Sequence, residues 1–322
     1  MTSHSAHSML GDQAGDRMTA GAAAAFHEGE QRMQARVGVR DRLAEIGPRV
    51  IRAHMPDQHR SFFEQLPFVV LGLVDAQGQP WASVLAAAPG FVQSPDDTRL
   101  DIAALPFAPD PVRAALVPGA AIGLLGIEPH TRRRNRANGV VGRVEAAGFS
   151  VQVTQSFGNC PKYIQPRKAE FAPRARPAAA LMERSDALDA EAMRFIAQAD
   201  TFFIATAHPA SAAQDKVRAE GVDVSHRGGP PGFVRVNDAH ALTVPDFIGN
   251  FFFNTLGNLL LNPRAGLVFI DPVRGDLLYI AVEVRIDEDS AALAAFDGAQ
   301  RLLQMQVTQM QRLRGVLPLR WR

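Results

Sequence analysis

Polar residues that could bind an anion follow a predicted strand in the second half of the chain. Ser225, His226 and Arg227 offer a hydroxyl, an imidazole and a guanidinium in succession. Gly228 and Gly229 come directly after them and would let a ligand approach the backbone closely. In an alternative interpretation the two glycines form a turn and Arg227 is solvated. The first interpretation predicts an anion site at this strand end.

A second polar segment surrounds the start of a predicted short helix. Thr255 and Asn258 fall in its first turn, where free backbone N–H groups and the helix dipole favour an anion. Asn254 precedes them, and Asp246 and Asn250 lie shortly before it. Thr255 could instead serve only as a helix cap. With the strand end described above, this segment predicts one binding site for an anionic group such as a phosphate.

The densest basic patch of the sequence runs from Arg132 to Arg136. It could be a solvated loop. It could contact nucleic acid, but no aromatic residues interleave it and the net charge of the chain is only +1. It could also reach across a domain interface to an anionic ligand, which makes Arg133 a candidate binding residue.

The single cysteine, Cys160, lies close to Lys162, which could activate its thiol. There is no second cysteine for a dithiol cycle, and the sequence shows no base for a thiol nucleophile. Cys160 is therefore predicted to be a small buried residue in a turn. Lys162 and Tyr163 are better candidates for contact with a ligand, and no residue is singled out as catalytic.

The histidines of the N-terminal part do not suggest a metal site. His54 and His59 flank Pro56, lack the same-face spacing of a helical site, and have no accompanying carboxylate–histidine cluster. We therefore expect no bound metal.

Composition narrows the class of protein. The 322 residues are 47% hydrophobic and 21% charged, as in globular domains, and 34 basic residues balance 33 acidic ones. No apolar run reaches the ~20 residues of a membrane helix, and a single cysteine suits a reducing compartment. These features predict a cytoplasmic protein without a membrane or nucleic-acid partner.

Two stretches of the chain contain the same residues at the same spacing. Ser83 and the later segment 89–92, Pro-Gly-Phe-Val, recur as Ser225 and the segment 231–234, and Leu100 then falls on Leu242 at the same offset. Identical residues at a constant offset over this length predict an internal repeat. After Ser83 the residues are apolar, whereas the second copy carries the polar set, so one main ligand site is expected for each pair of copies.

Short alternating strands with one small helix in each copy, at 110–117 and 255–261, predict two small antiparallel barrels. The expected organisation is a mobile tail (1–25), a first barrel with a helical extension broken at Gly47-Pro48 (26–166), a linker (167–186) and a second barrel (187–322). Residues 289–310 look helical. The predicted fold is mainly β (α+β), with a C-terminal helix.

The residues of the second copy resemble a known family. The segment 251–269 is similar to the strand–helix–strand of the pyridoxamine 5'-phosphate oxidase-like family of FMN-binding split barrels. The segments 224–235, 245–250, 131–136 and 155–165 resemble the variant found in its bacterial tandem-barrel proteins. The resemblance covers about residues 26–322 and implies a tandem of two FMN-binding split β-barrels.

This resemblance implies FMN as the cofactor. The implied binding residues are Ser225, His226, Arg227, Asp246, Asn250, Asn254, Thr255, Asn258, Arg133 and Lys162. Family members bind the flavin between two barrels, so we expect a homodimer or a pseudo-dimer within one chain. Asn258 and Leu259 replace the basic pair of the vitamin-forming oxidases, so pyridoxamine phosphate is not the expected substrate.

The favoured function is that of a flavin-dependent oxidoreductase acting on a small molecule through flavin N5, with a separate reductase as a candidate partner. One alternative is a flavin-binding carrier or sensor without turnover, because no acid–base residue stands out. Another is a haem-binding or haem-degrading split barrel, for which His226 is the candidate axial ligand.

Overall fold

The computed structural model describes residues 25–173, 181–213, 215–289 and 291–322. The predicted tail, apart from residue 25, lies outside these residues. The described helices are α1 (Glu28–Arg36), α2 (Arg40–Val50), α3 (Asp57–Glu64), α4 (Ala190–Gln198) and α5 (Asn254–Leu261). None of them is long and apolar enough to span a membrane.

The first three helices form the predicted N-terminal extension, but the break between α1 and α2 differs from the prediction. Gly38 has a φ of +71°, a conformation that glycine adopts without strain, and it separates the two helices. Pro48 lies inside α2, in its last turn. There it removes a single hydrogen bond near the helix end, so the helix continues through it.

The first sheet has seven antiparallel strands in the order β2-β1-β5-β6-β7-β4-β3. Its strands are β1 (Phe68–Val74), β2 (Pro80–Ala86), β3 (Val92–Asp96), β4 (Arg99–Ile102), β5 (Ala121–Glu128), β6 (Arg133–Glu145) and β7 (Gly148–Gly158). Apolar side chains of the central strands fill the barrel core, and α3 packs against β3.

Two short strands follow, β8 (Ala169–Phe171) and β9 (Met182–Ser185). They fall inside the stretch predicted to be a linker, and residues 174–180 lie outside the described part. β8 pairs with β17 (Leu319–Trp321) at the end of the chain, and β9 pairs with β16 of the second sheet. Strand pairing therefore joins β9 to the second barrel, whereas β8 and β17 form a separate two-stranded sheet.

The second sheet follows the order β11-β10-β14-β15-β16-β13-β12, with β9 added beside β16. Its strands are β10 (Thr201–Ala207), β11 (Val222–Gly228), β12 (Arg235–Asp238), β13 (Ala241–Phe247), β14 (Arg264–Ile270), β15 (Leu277–Asp287) and β16 (Ala299–Leu313). Strand for strand this is the order of the first sheet. The molecule is thus a tandem of two split β-barrels, as the sequence predicts.

The strand register places the shared residues of the two stretches at matching positions. Ser83 pairs with Leu71 across β1 and β2, and Ser225 pairs with Ile204 across β10 and β11. Both serines therefore lie in the second strand of their sheet, on an edge of the strand order.

The prediction of a C-terminal helix over residues 289–310 is wrong. A short 3-10 helix at Ala291–Ala295 is followed by the long strand β16, which pairs with both β13 and β15. Leucine, methionine and glutamine are good helix formers, which explains the prediction. Buried Leu303, Met305 and Val307 nevertheless alternate with the outward residues between them, and pairing on both sides overrides the local propensity.

The small helix expected at 110–117 in the first barrel is also absent, because those residues form turns. Asp110 is buried there, and its carboxylate accepts hydrogen bonds from other elements. The second barrel does contain the expected helix, α5. The two copies therefore share their strands but differ in the segment that joins the fourth strand to the fifth.

The two barrels pack on each other within one chain. Strands β1, β2 and β5 face β10, β11 and β14. Gly123 and Gly266 mark this contact from opposite sides. A Cβ at Gly123 would lie 2.6 Å from the carbonyl oxygen of Val222, and one at Gly266 would overlap that of Pro80. The close approach of the backbones explains why glycine stands at both positions.

Candidate functional site

A polar cleft of about 120 Å³ lies where the second barrel meets strand β6 of the first. It is lined by residues of β6, β11, β13, the loop after β13 and the start of α5. The predicted site residues that line it are Ser225, His226, Arg227, Asp246, Asn250, Asn254 and Thr255. The structure thus brings the two predicted segments together, but Ser225 lies in the middle of β11 (Val222–Gly228) and not at a strand end as predicted.

Ser225 connects the elements of the cleft. Its Oγ lies 2.8 Å from the Oγ1 of Thr255 in the first turn of α5. The guanidinium of Arg136, which comes from the first barrel, also donates to the Ser225 hydroxyl. One side chain of β11 therefore holds α5 and β6 together at the cleft.

Two arginines of the basic patch cross from the first barrel to the second. Arg134 and Arg136 are two residues apart on β6 and so share a face. Arg136 donates to Asp223 at 2.7 Å, and Arg134 approaches the Nδ1 of His226 at 3.2 Å. These two arginines therefore form an interdomain contact, whereas Arg132 is exposed to solvent.

Two arginines that line the cleft each have one N–H group without a partner. The Nε atoms of Arg136 and Arg227 are buried and make no hydrogen bond among the described residues. Arg134 donates to the carbonyl oxygen of Cys160 at 2.7 Å, but within the described chain it forms no ion pair with a carboxylate. Burial, reinforced by the neighbouring charge of Arg136, lowers the pKa of Arg134 to about 10. Cations in such surroundings are suited to an anionic ligand.

Carboxylates neutralise the other two arginines of the cleft. Asp246 accepts from Arg227 and, at 3.1 Å, from Arg301. Asp223 pairs with Arg136. Arg134 also lines the cleft, but no carboxylate of the described residues balances its charge.

Two predicted residues at the helix start are engaged with the protein. Asn258 is only 1% exposed and lies behind the cleft, where it donates to Asp223 and to Thr206, both at 3.2 Å. Asn254 donates to the carboxyl group of Glu30 in α1. Burial, followed by the charge of Asp223, raises the pKa of Glu30 well above its usual range. The start of α5 is therefore partly covered by α1.

Arg133 and Lys162 do not line the cleft. Arg133 faces the other side of β6, where it donates to the carbonyl oxygen of Gln58 at 2.7 Å and lies over the ring of Phe62. Lys162 is exposed at a neighbouring cavity of about 80 Å³ that also contains Tyr163. Asn250 lines the cleft but uses its Oδ1 to accept from a backbone N–H nearby.

The surroundings of His226 favour the neutral form of its ring. Burial, followed by the charge of Arg134, lowers its pKa well below the usual value. Since Arg134 can only donate, the Nδ1 of His226 accepts this contact and the ring proton lies on Nε2. Nε2 then has no lone pair for a metal, so this arrangement disfavours His226 as an axial haem ligand.

The matching position of the first barrel is closed. In the first sheet, Leu125 of β5 pairs with Arg136 of β6. At the equivalent pair of the second sheet, Val268 of β14 pairs with Tyr279 of β15, so Tyr279 occupies the position of Arg136. Its hydroxyl donates to buried Asp110 at 2.7 Å. The hydroxyl of Ser83, the counterpart of Ser225, donates to the same carboxylate at 2.5 Å. A tyrosine and a carboxyl group thus fill this position.

A second group of possible ligands lies near α1, where His27, Glu28 and His208 have donor atoms within 4.8 Å of one another. The Nδ1 atoms of both histidines accept backbone N–H bonds at 3.1 Å, so the protons of the neutral rings lie on Nε2. Metal-bound histidines normally donate from their second nitrogen instead. The tautomers therefore do not favour a metal here.

Sequence reasoning missed two residues that line the cleft, Arg134 and Arg136. It also missed three that hold the lining residues in place: Glu30, Asp223 and Asn138, whose amide donates to Asp223 at 2.8 Å. A signal for three of them was present. Arg134, Arg136 and Asn138 alternate along a strand, which places them on one face. Glu30 and Asp223 gave no local signal, because only the packing of distant segments makes them neighbours.

Comparison with known proteins gives matches among solved structures only; no family model and no curated protein matches. A putative pyridoxamine 5'-phosphate oxidase from Lactobacillus delbrueckii is 16% identical, with 39% of this chain and 94% of that one covered and a TM-score of 0.30. An FMN-binding protein from Syntrophomonas wolfei is 11% identical, covering 37% and 82%, with a TM-score of 0.28. The heme storage protein HutZ from Vibrio cholerae is 17% identical, covering 39% and 94%, with a TM-score of 0.28.

Proposed function

We propose that this protein is an FMN-binding flavoprotein whose cleft between the barrels holds the flavin phosphate. The observation that carries the proposal is the half-buried guanidinium of Arg134, whose charge no carboxylate of the described residues balances. A phosphate carries nearly two negative charges and several acceptor oxygens, which suit this cation. Ser225 and Thr255 place hydroxyl groups on the same cleft.

The size of the cleft limits which part of the cofactor it takes. Its volume of about 120 Å³ is below the ~300–1,000 Å³ typical of pockets that enclose a whole small ligand. The cleft therefore suits the phosphate end of FMN, and the rest of the molecule would extend from it.

The activity that fits best is that of an oxidoreductase acting on a small molecule. When bound, the flavin supplies the redox chemistry, with a separate reductase as a candidate electron donor. The protein residues hold the phosphate and orient the cofactor. Arg134 and Arg136 of the first barrel and Ser225 of the second act together, so both barrels are needed for binding.

One cofactor per chain follows from the difference between the two barrels. The position that matches the cleft in the first barrel is filled by Tyr279 and Asp110, both buried. An anionic phosphate would meet a carboxyl group there instead of a guanidinium. The proposed stoichiometry is therefore one FMN for each pair of barrels.

A visible spectrum of the purified protein, incubated with FMN and freed of excess ligand, tests the proposal. We expect flavin bands near about 375 and about 450 nm. Arg134→Gln should lose most of the bound flavin, whereas Arg132→Gln, at an exposed position two residues away, should retain it. A colourless wild type, or equal retention by both variants, would contradict the proposal. A Soret band after incubation with haem, lost on replacing His226, would favour the haem alternative.

Turnover separates an enzyme from a carrier. In a stopped-flow experiment we expect NADPH or a partner reductase to bleach the flavin absorbance, and oxygen to restore it. Flavin that is bound tightly but is reduced by no donor would support the carrier or sensor alternative.

A further inference from the structure

A second cavity of the described chain lies between the barrels, outside the polar cleft. Its volume is about 460 Å³, within the ~300–1,000 Å³ range of small-molecule sites. Phe68 and Ile127 of the first sheet and Thr201 and Ile270 of the second line it. Ile127 and Ile270 are the seventh residues of β5 and β14, which hold the same place in the two sheets, so the cavity lies where equivalent strand ends meet.

Aromatic side chains form much of the wall. Phe68 and Trp321 meet edge to face at 5.6 Å between ring centroids, and Phe195 and Phe203 line the cavity from the second barrel. Rings of this kind offer flat apolar surfaces and favour stacked or edge-to-face partners. The wall is therefore suited to a planar apolar molecule.

The charged residues of the wall are already paired within the protein. Arg167 forms an ion pair with Asp200. Arg274 donates to Glu191 at 2.6 Å and lies 3.9 Å from Asp271. A charged ligand would have to displace these partners, whereas an uncharged one would not.

The uncharged polar side chains of the wall are those of Gln165, Gln198, Thr201 and His226. The amide of Gln165 donates to the carbonyl oxygen of Gly229 at 3.2 Å, and Gln198 lies exposed at the edge of the cavity. Such groups can give a ligand one or two hydrogen bonds that fix its orientation. They do not supply a counter-charge.

We propose that this interbarrel cavity binds an uncharged, planar aromatic small molecule at a site separate from the anion cleft. His226 is the one residue that lines both. The inference concerns a second site, and it does not depend on the cleft binding FMN.

The test uses N-phenyl-1-naphthylamine, an uncharged aromatic probe whose fluorescence rises in apolar surroundings. Wild type should show saturable binding of one probe per chain. Ala199→Phe and Ile270→Phe, which place added volume in the cavity, should each weaken binding at least about tenfold. Val117→Phe adds a ring at a half-exposed position outside the cavity and should leave binding unchanged. Circular dichroism identifies which filled variants fold.

Three results would overturn the inference. They are the absence of saturable binding to wild type, unchanged binding in a folded cavity-filled variant, and displacement of the probe by saturating FMN. The last result would show that the cavity and the flavin site are one and the same. If the chain binds no FMN, the proposed function fails, but the cavity-filled variants still decide the present inference.

Discussion

At the scale of single residues, the cleft depends on guanidinium groups whose charges are unequally balanced. Arg136 and Arg227 each have an aspartate partner, but Arg134 has a backbone carbonyl and a neutral imidazole instead. Removing a cation from water costs free energy unless an opposite charge compensates for it. A bound anion would supply that compensation, which is why the arginines carry the proposed function.

Replacing Arg227 with alanine should weaken FMN binding by about 10- to 100-fold, because a hydrogen bond to a charged group contributes about 1.5–3 kcal/mol. Isothermal titration calorimetry measures the change. Arg235→Ala is the matched control, since this arginine is exposed and lies over the ring of Phe296. Equal affinities of the two variants would remove Arg227 from the site.

A buried histidine gives a prediction about pH. Burial, followed by the charge of Arg52, lowers the pKa of His59 to about 4, so between pH 6.5 and 4 the unfolded chain binds a proton there that the folded chain does not. His59 therefore stabilises the fold above pH 6.5, and this contribution is lost as the pH falls towards 4.

The measurement compares the free energies of unfolding of wild type and His59→Gln in urea. The advantage of wild type should shrink by up to about 1.4 kcal/mol per pH unit from pH 6.5 to 4 and stay constant above that range. A difference that does not vary with pH would show that His59 titrates alike in both states.

At the scale of elements, the apolar strands were predictable from the sequence because side-chain alternation is a local property. The strand predicted at 68–74 and observed as β1 is an example. β16 was mispredicted, since its helix-forming residues become a strand only by pairing with β13 and β15, which are distant in sequence. The turns at 110–117 have a similar cause, because Asp110 is held by Tyr279 of the other barrel.

The contact between α1 and α5 gives a prediction at this scale. A Cβ on Gly29 would overlap the carbonyl oxygen of Gly257, so Gly29→Ala must push α1 away from the start of α5. We expect a loss of about 1–3 kcal/mol of stability, measured by thermal unfolding, together with weaker FMN retention. Gly221→Ala, where an added methyl group meets no atom within 4 Å, is the control. A Gly29→Ala protein as stable as this control would show that the helices can move apart freely.

At the scale of the whole molecule, the site depends on the pairing of two barrels in one chain. The sequence indicated the repeat, and most of the second-barrel residues that it proposed line one cleft, since strands and helix starts are local features. It did not show that Arg134 and Arg136 of the first barrel complete the cleft, because that depends on how the barrels dock. Nor could it show that Tyr279 fills the matching position.

A titration of the purified protein with FMN, followed by flavin fluorescence, tests the central claim most directly. We predict saturation at one FMN per chain, loss of binding in Arg134→Gln, and an unchanged stoichiometry in Ser83→Ala, which alters only the closed position of the first barrel. Two FMN per chain would show that the first barrel also binds the cofactor, and no binding at all would contradict the account.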